Sequence, residues 1–221
     1  MSVTLDQYQQ DAMRVCAPLT VARESLASDS LLHVMHAALG LTSDLDELLH
    51  NTDATNAVAE AGDCFWFLCR GYTALSIDMQ ASVIDAPDRY LSPAALTAFG
   101  SNPEGQAVSL VRAAQHEAAT LCDVIKAAIF YGKTKFKVPN DQGAEITDAT
   151  LETAAAIRLN HIAAWLALYC RMVLHKPPRD VMAANTAKLK ARYGEKFSQT
   201  AALTRNEDAE HAAVAETAGL H

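Results

Sequence analysis

The apolar positions of this chain recur mostly at intervals of three and four, the period of a helix that buries one stripe. Over Leu31–Asn51 the stripe holds Leu31, Met35, Leu39, Leu45, Leu48 and Leu49. Over Ala57–Met79 it holds Val58, Phe65, Trp66, Leu68 and Leu75. Asn51, Thr52 and Asp53 read as the turn between them, with Thr55 or Asn56 as the cap of the second helix. A shorter helix is predicted over Thr4–Cys16, with Tyr8 and Met13 inward and Pro18 beyond its end. The pattern breaks across residues 84–106, where Pro87, Pro93, Gly100 and Pro103 predict a lid or a connector. Helical periodicity returns over Gln106–Tyr131 and is followed by YGKTKFKVPNDQG, a polar, basic stretch that reads as turns. Asp148 or Thr150 starts the next helix, which runs to Leu174. Pro177 and Pro178 precede a last one over Arg179–Tyr193. Residues 207–221 contain little that must be buried and read as a frayed helix or a flexible tail.

These elements predict an all-α protein, an antiparallel helical bundle in a single domain over residues 1–206. FWFLCRG at 65–71 echoes AWLALYCR at 164–171. The echo reads as a diverged tandem duplication, with pseudo-repeats over 1–80 and 106–200. Two helical hairpins that share core composition account for much of it as well. Composition agrees with a helical chain: 50% of the 221 residues are apolar, with only 9 Gly and 7 Pro. A formal net charge of -8 argues against an extended nucleic-acid surface. Cys16, Cys64, Cys69, Cys122 and Cys170 form no CxxC pair and read as buried free thiols. The polar start MSVTLDQYQQ and the lack of a long apolar run predict a cytoplasmic protein that neither enters nor crosses a membrane.

Charge changes the picture most in SDLDELLHNTDATNAVAEAGDCFWFL. Asp44 pairs with Glu47 and Glu60 pairs with Asp63, each at a spacing of three that puts both side chains on one helix face. Twelve residues separate Glu47 from Glu60, so an antiparallel return brings the four carboxylates together. Such a set repels itself and takes up protons unless a cation offsets it. An all-oxygen set suits Mg²⁺, which retains water and bridges to phosphate oxygens. Acidic residues at this spacing also occur on solvated faces, and the apolar Leu41, Leu45, Phe65, Trp66 and Phe67 are what bring this set toward an interface.

Gly40-Leu41-Thr42-Ser43-Asp44-Leu45-Asp46-Glu47-Leu48 resembles the first acidic motif, usually Glu-x-x-Glu, of the MazG-like all-α nucleoside triphosphate pyrophosphohydrolases, which include the dimeric dUTPases. Asp44 stands where the first Glu is usual. Glu60-Ala61-Gly62-Asp63-Cys64-Phe65-Trp66-Phe67-Leu68 is similar to the second motif, Glu-x-x-Asp followed by aromatic residues. Asn185-Thr186-Ala187-Lys188-Leu189-Lys190-Ala191-Arg192-Tyr193 resembles the family's Asn-x-x-Lys-Leu segment, with Phe197 matching an aromatic residue just beyond. Lys126, followed by IFYGK ending at Lys133, is similar to the basic end of a helix in such proteins. The likeness covers most of residues 4–200.

The resemblance implies Mg²⁺-dependent hydrolysis of a nucleoside triphosphate, most simply a deoxynucleotide, to the monophosphate and pyrophosphate, with Mn²⁺ as a substitute ion. It implies Asp44, Glu47, Glu60 and Asp63 as metal ligands, with Glu47, Glu60 and Asp63 in catalysis and Glu47 a choice for positioning water. Lys126, Lys133, Asn185, Lys188, Arg192 and Tyr193 are the implied nucleotide contacts. A homodimer or tetramer is the implied assembly. A nucleotide-binding or regulatory protein without turnover is the alternative. In the second half Glu117 stands at a first-motif position without an acidic partner, since Thr120 follows, and Arg158, Asn160 and His161 stand in place of a second pair. One metal cluster per chain is therefore expected.

Overall fold

The computed structural model describes residues 22–24, 26, 28–51, 53–91, 103–139 and 145–220. The helix predicted over Thr4–Cys16 lies outside them. The chain is mostly helical, as its periodicity predicts. Helix α1 (Asp29–His50) and helix α2 (Ala54–Ala74) form an antiparallel hairpin. Ser30 Oγ donates to the carbonyl of Ala74 and ties the open end of this hairpin. Asp53 caps α2 by accepting from the Asn56 N–H at 2.9 Å, so the cap lies within the expected turn rather than at Thr55 or Asn56. Helix α3 (Ala81–Asp85) and a 3₁₀ turn (Pro87–Tyr90) follow. Of the stretch expected to be irregular, residues 84–91 fall in or beside these two short elements and residues 103–106 begin the next long helix; both short elements pack on helix α5 (Leu151–Met172). Helix α4 (Pro103–Tyr131) is longer than its apolar stripe requires. Thr150 caps α5 by accepting from Thr153, one of the two starts expected.

The core is built from two hairpins. The α1–α2 pair meets the α4–α5 pair through contacts of α1 with α4 and of α2 with α5. Leu41, Leu45, Phe65, Leu68, Leu121, Leu159, Ile162 and Leu166 fill the space between them, all essentially excluded from solvent. Close approach is bought with small residues. Gly71 faces Leu159 and Ala37, and a Cβ on Gly40 would lie 2.2 Å from the Phe67 ring. Tyr72 donates to Asn160 Oδ1 at 2.6 Å and satisfies the polar end of a buried ring between α2 and α5. Helix α6 (Pro178–Tyr193) packs on α2, while α7 (Gln199–Leu203) is short and exposed.

Two expectations are corrected. The stretch read as a frayed helix or a flexible tail is a packed helix, α8 (Glu207–Ala218), seated on α6 and α2. Glu210, Val214 and Ala218 recur every four residues and are its buried stripe. The basic stretch after α4 is not all turn: β1 (Phe136–Pro139) and β2 (Glu145–Ala149) pair antiparallel, with Phe136 opposite Ala149 and Val138 opposite Ile146. Phe136 and Val138 alternate with exposed Lys135 and Lys137, and the apolar pair covers Val124 of α4 and Ala154 of α5. No disulfide forms among the described residues; Cys64 and Cys170 are buried thiols, while Cys69 is exposed. Among the described residues no helix is long and apolar enough to cross a membrane.

The α2–α6 contact has a direct test. A Cβ on Gly62 would lie 2.6 Å from Asn185 Cβ, an atom fixed by the α6 backbone rather than the end of a flexible chain. Gly62→Ala therefore costs about 1–3 kcal/mol of stability by overpacking, exceeding the gain in helix propensity. Denaturant unfolding measures it, and an unchanged midpoint would refute this packing.

Candidate functional site

The acidic pairs sit where α1 and α2 face one another, and α6 closes the site from the side of α2. Leu41, Leu45 and Leu48 on α1 and Ala61, Cys64, Phe65 and Leu68 on α2 are buried, which fixes the rotation of both helices. That rotation carries Asp44, Glu60 and Asp63 to the edge of the core, where each is partly buried. Glu47 is exposed and makes no side-chain hydrogen bond among the described residues.

Each buried member feels the others. Burial pushes the Asp44 carboxyl up to about 6, and the charges of Asp63 and Glu47 add to the rise. Opposing them are a hydrogen bond donated by Ser43 Oγ at 3.0 Å and the charge of Lys188. Burial pushes Glu60 up to about 7, with Asp63, Glu47 and Asp44 raising it and Lys188 lowering it. Asp63 and Glu47 thus add to the rise of both Asp44 and Glu60, although burial is the larger cause of each. The four carboxylates are not drawn tight. Among the described residues no three Asp, Glu, His or Cys side chains are grouped as they would be around a metal ion.

Asp63 is the member with direct partners. Asn185 Nδ2 donates to its Oδ1 at 2.6 Å, and Lys188 Nζ donates to its Oδ2. Lys188 is only 3% exposed and Asn185 4%, so α6 delivers a buried amide and a buried ammonium to one carboxylate. The two donors are three apart on α6, which places them on one face. The Asn-x-x-Lys-Leu segment and the Glu-x-x-Asp segment, 122 residues apart at Asn185 and Asp63, are therefore in contact.

The remaining expected nucleotide contacts lie elsewhere. Arg192 forms a two-point pair with Glu210 of α8, Nε to Oε1 at 2.7 Å and Nη2 to Oε2. Arg205 adds a contact to Glu210 Oε2 at 3.0 Å. Burial alone would raise Glu210, but the hydrogen bonds from Arg192 and Arg205 hold it below the ordinary carboxylate value. Tyr193 stacks at a tilt on Phe197, with ring centroids 5.3 Å apart. Lys126 pairs with Asp123 at the surface, and Lys133 lies over the Phe136 ring. Neither is among the charges that shift Asp44 or Glu60. Sequence reasoning missed Glu210; its signal was the four-residue spacing with Val214 and Ala218 in a segment taken for a tail.

The second hairpin carries a different cluster. Glu117 on α4 accepts from Arg158 Nη1 at 2.8 Å and lies 3.2 Å from His161 Nδ1 on α5. Burial would raise this carboxyl, yet the hydrogen bonds from His161 and Arg158 prevail and hold it low. The place where a second acidic pair was absent from the sequence thus holds a single carboxylate, Glu117, paired with Arg158 and His161. No family model, curated protein or solved structure matches this chain.

The pH dependence follows from Asp44 and Glu60. Both bind protons more readily folded than unfolded. Their contribution to stability is complete below the ordinary carboxylate range and is lost as pH rises through about 6 for Asp44 and about 7 for Glu60. In chelator, these two groups should therefore lower the free energy of unfolding between about pH 4 and about pH 7. The Asp44→Asn, Glu60→Gln double variant should flatten that fall, and an unchanged slope would remove the two groups from it.

Proposed function

We propose that this chain hydrolyses a nucleoside triphosphate, preferably a deoxynucleotide, between its α and β phosphates in a Mg²⁺-dependent reaction. The observation that carries the reading is the contact of Asn185 and Lys188 with Asp63. Two segments with the look of one family's motifs, far apart in sequence, meet at one carboxylate.

The donor set fits a hard divalent cation. Asp44, Glu47, Glu60 and Asp63 offer oxygen only, and burial, with the charge of their neighbours added, raises Asp44 and Glu60. Lys188 already supplies positive charge at Asp63, which is the electrostatic demand that a cation would meet. These four residues would hold Mg²⁺ or Mn²⁺, and drawing them together is the adjustment that loading requires. The ion supplies neutralisation of phosphate charge and activation of water.

The chain's own residues have distinct tasks. Lys188 stands one contact from the carboxylates and, with Asn185, is placed to meet phosphate oxygens that approach Asp63. Exposed Glu47 is free to orient a water molecule and take up its proton. Asp44 and Glu60, protonated more easily than ordinary carboxyls, leave activity expected to rise with pH as they ionise. Arg192 is engaged by Glu210 and supports α6 from the other side. We further propose one catalytic centre per chain, because Glu117 is neutralised by Arg158 and His161. The resemblance also carries the proposal of a homodimer or tetramer.

A product assay across the ribo- and deoxynucleoside triphosphates with Mg²⁺ tests the reading. Monophosphate and pyrophosphate should form in equal amounts, and Glu60→Gln should lower kcat by about 100-fold or more. Orthophosphate as the first product would reject the bond assigned. Tight metal-dependent binding without turnover would make the chain a nucleotide-binding protein.

A further inference from the structure

A cleft of about 410 Å³ opens at the junction of α3, α5 and α6, lined by Asp85, Arg171, His175, Lys176 and Arg179 among others. It shares no residue with the carboxylate cluster. The whole chain carries a formal charge of -8, yet this lining sets three permanent cations against one carboxylate, an excess of two.

None of that charge is consumed by a buried ion pair. Arg171 donates through Nη2 to the carbonyls of Ile84 at 2.6 Å and Asp85 at 3.2 Å. Lys176 Nζ donates to the carbonyl of Ala218. Carbonyls hold these groups in place without neutralising them. Arg179 meets Asp85 Oδ2 at 3.2 Å, but the side chains are 64% and 56% exposed, so solvent weakens the pair and a ligand can exchange into it. Nε and Nη1 of Arg171 and both ring nitrogens of His175 make no hydrogen bond among the described residues. His175 sits at φ 52, a left-handed conformation that costs a residue with a side chain, and Pro177 and Pro178 follow it.

We propose that this cleft binds a small phosphomonoester, with the phosphate between Arg171 and Arg179 and with Lys176 and His175 at its edge. An excess of two positive charges matches a dianion better than a single carboxylate, and guanidinium groups match phosphate geometry. The cleft is open to solvent and wider than a bare phosphate, which leaves room for a body beyond the anionic group.

The full chain is titrated calorimetrically in chelator with phenyl phosphate, inorganic phosphate and benzoate. Without a divalent ion the carboxylate cluster repels all three, so the result does not depend on the hydrolase reading. Phenyl phosphate should bind saturably, tighter than inorganic phosphate, with benzoate weakest. Arg179→Gln removes one charged contact from an exposed position and should weaken binding about tenfold. His175→Gly, which also relieves the backbone, should weaken it while leaving the fold intact. Absence of saturable binding, equal affinity for benzoate or inorganic phosphate, or undiminished binding by both variants would overturn the proposal.

Discussion

Burial of the Lys188 ammonium beside Asp63 is the constraint on which the arrangement of the site depends. An isolated ammonium in a protein interior costs several kcal/mol, and that cost is offset only where a carboxylate meets it with good geometry. Lys188 is 3% exposed, and Asp63 is the carboxylate that receives it. Helix α6 must therefore seat on α2 at one register. Gly62, next to Asp63, leaves the room in which Asn185 approaches. Asn185 then binds the second oxygen of Asp63, so both oxygens of that carboxylate are occupied by α6. Cys64 and Phe65 follow at once into the core, which couples the position of the carboxylate to hydrophobic packing.

The two hairpins differ in how they settle their charge. On α1 and α2, four carboxylates have one buried ammonium among them, and burial, with the neighbouring carboxylates adding to it, lets Asp44 and Glu60 hold protons to higher pH. On α4 and α5, one carboxylate has an arginine and a histidine, and it responds in the opposite direction. A cation entering the first cluster relieves repulsion at Asp44, Glu47 and Glu60, while at Asp63 it must share or displace the contacts of Lys188 and Asn185. One entering the second would have to displace Arg158 and His161 from Glu117. The asymmetry gives a physical ground for placing chemistry in the first hairpin alone, whether or not the halves share an origin.

The long helices were legible because their apolar stripes run at one period over many turns. The acidic pairs were legible because a spacing of three fixes a shared face. Lys188 and Asn185 were legible only as a motif; their partner Asp63 is set by tertiary packing that no local pattern encodes. The same limit explains Lys126 and Lys133. Each was named by its likeness to the basic end of a family helix, and each lies beside a local partner, Asp123 or the Phe136 ring. The β-hairpin escaped notice because lysines at alternate positions dominate its composition, while only Phe136 and Val138 carry the two-residue period. Helix α8 escaped because its alanines make a weak stripe and its decisive residue, Glu210, is charged.

Arg192 shows how a motif is divided by the fold that holds it. On α6 the buried positions Val181, Ala184, Asn185 and Lys188 face α2, and Arg192 continues the line by one turn. At that point α8 has taken the place opposite it, and Glu210 offers a carboxylate that is itself 3% exposed. A two-point guanidinium–carboxylate pair at such burial would leave Glu210 stranded if Arg192 turned to a ligand, a penalty of about 3–5 kcal/mol when a buried pair loses one partner. Arg205 softens this only in part, since its side chain is 46% exposed against 14% for Arg192. Asn185 and Lys188 therefore face the carboxylates while Arg192 faces the last helix. Helix α6 is clamped along its C-terminal half, through Asn185 and Lys188 to Asp63 and through Arg192 to Glu210.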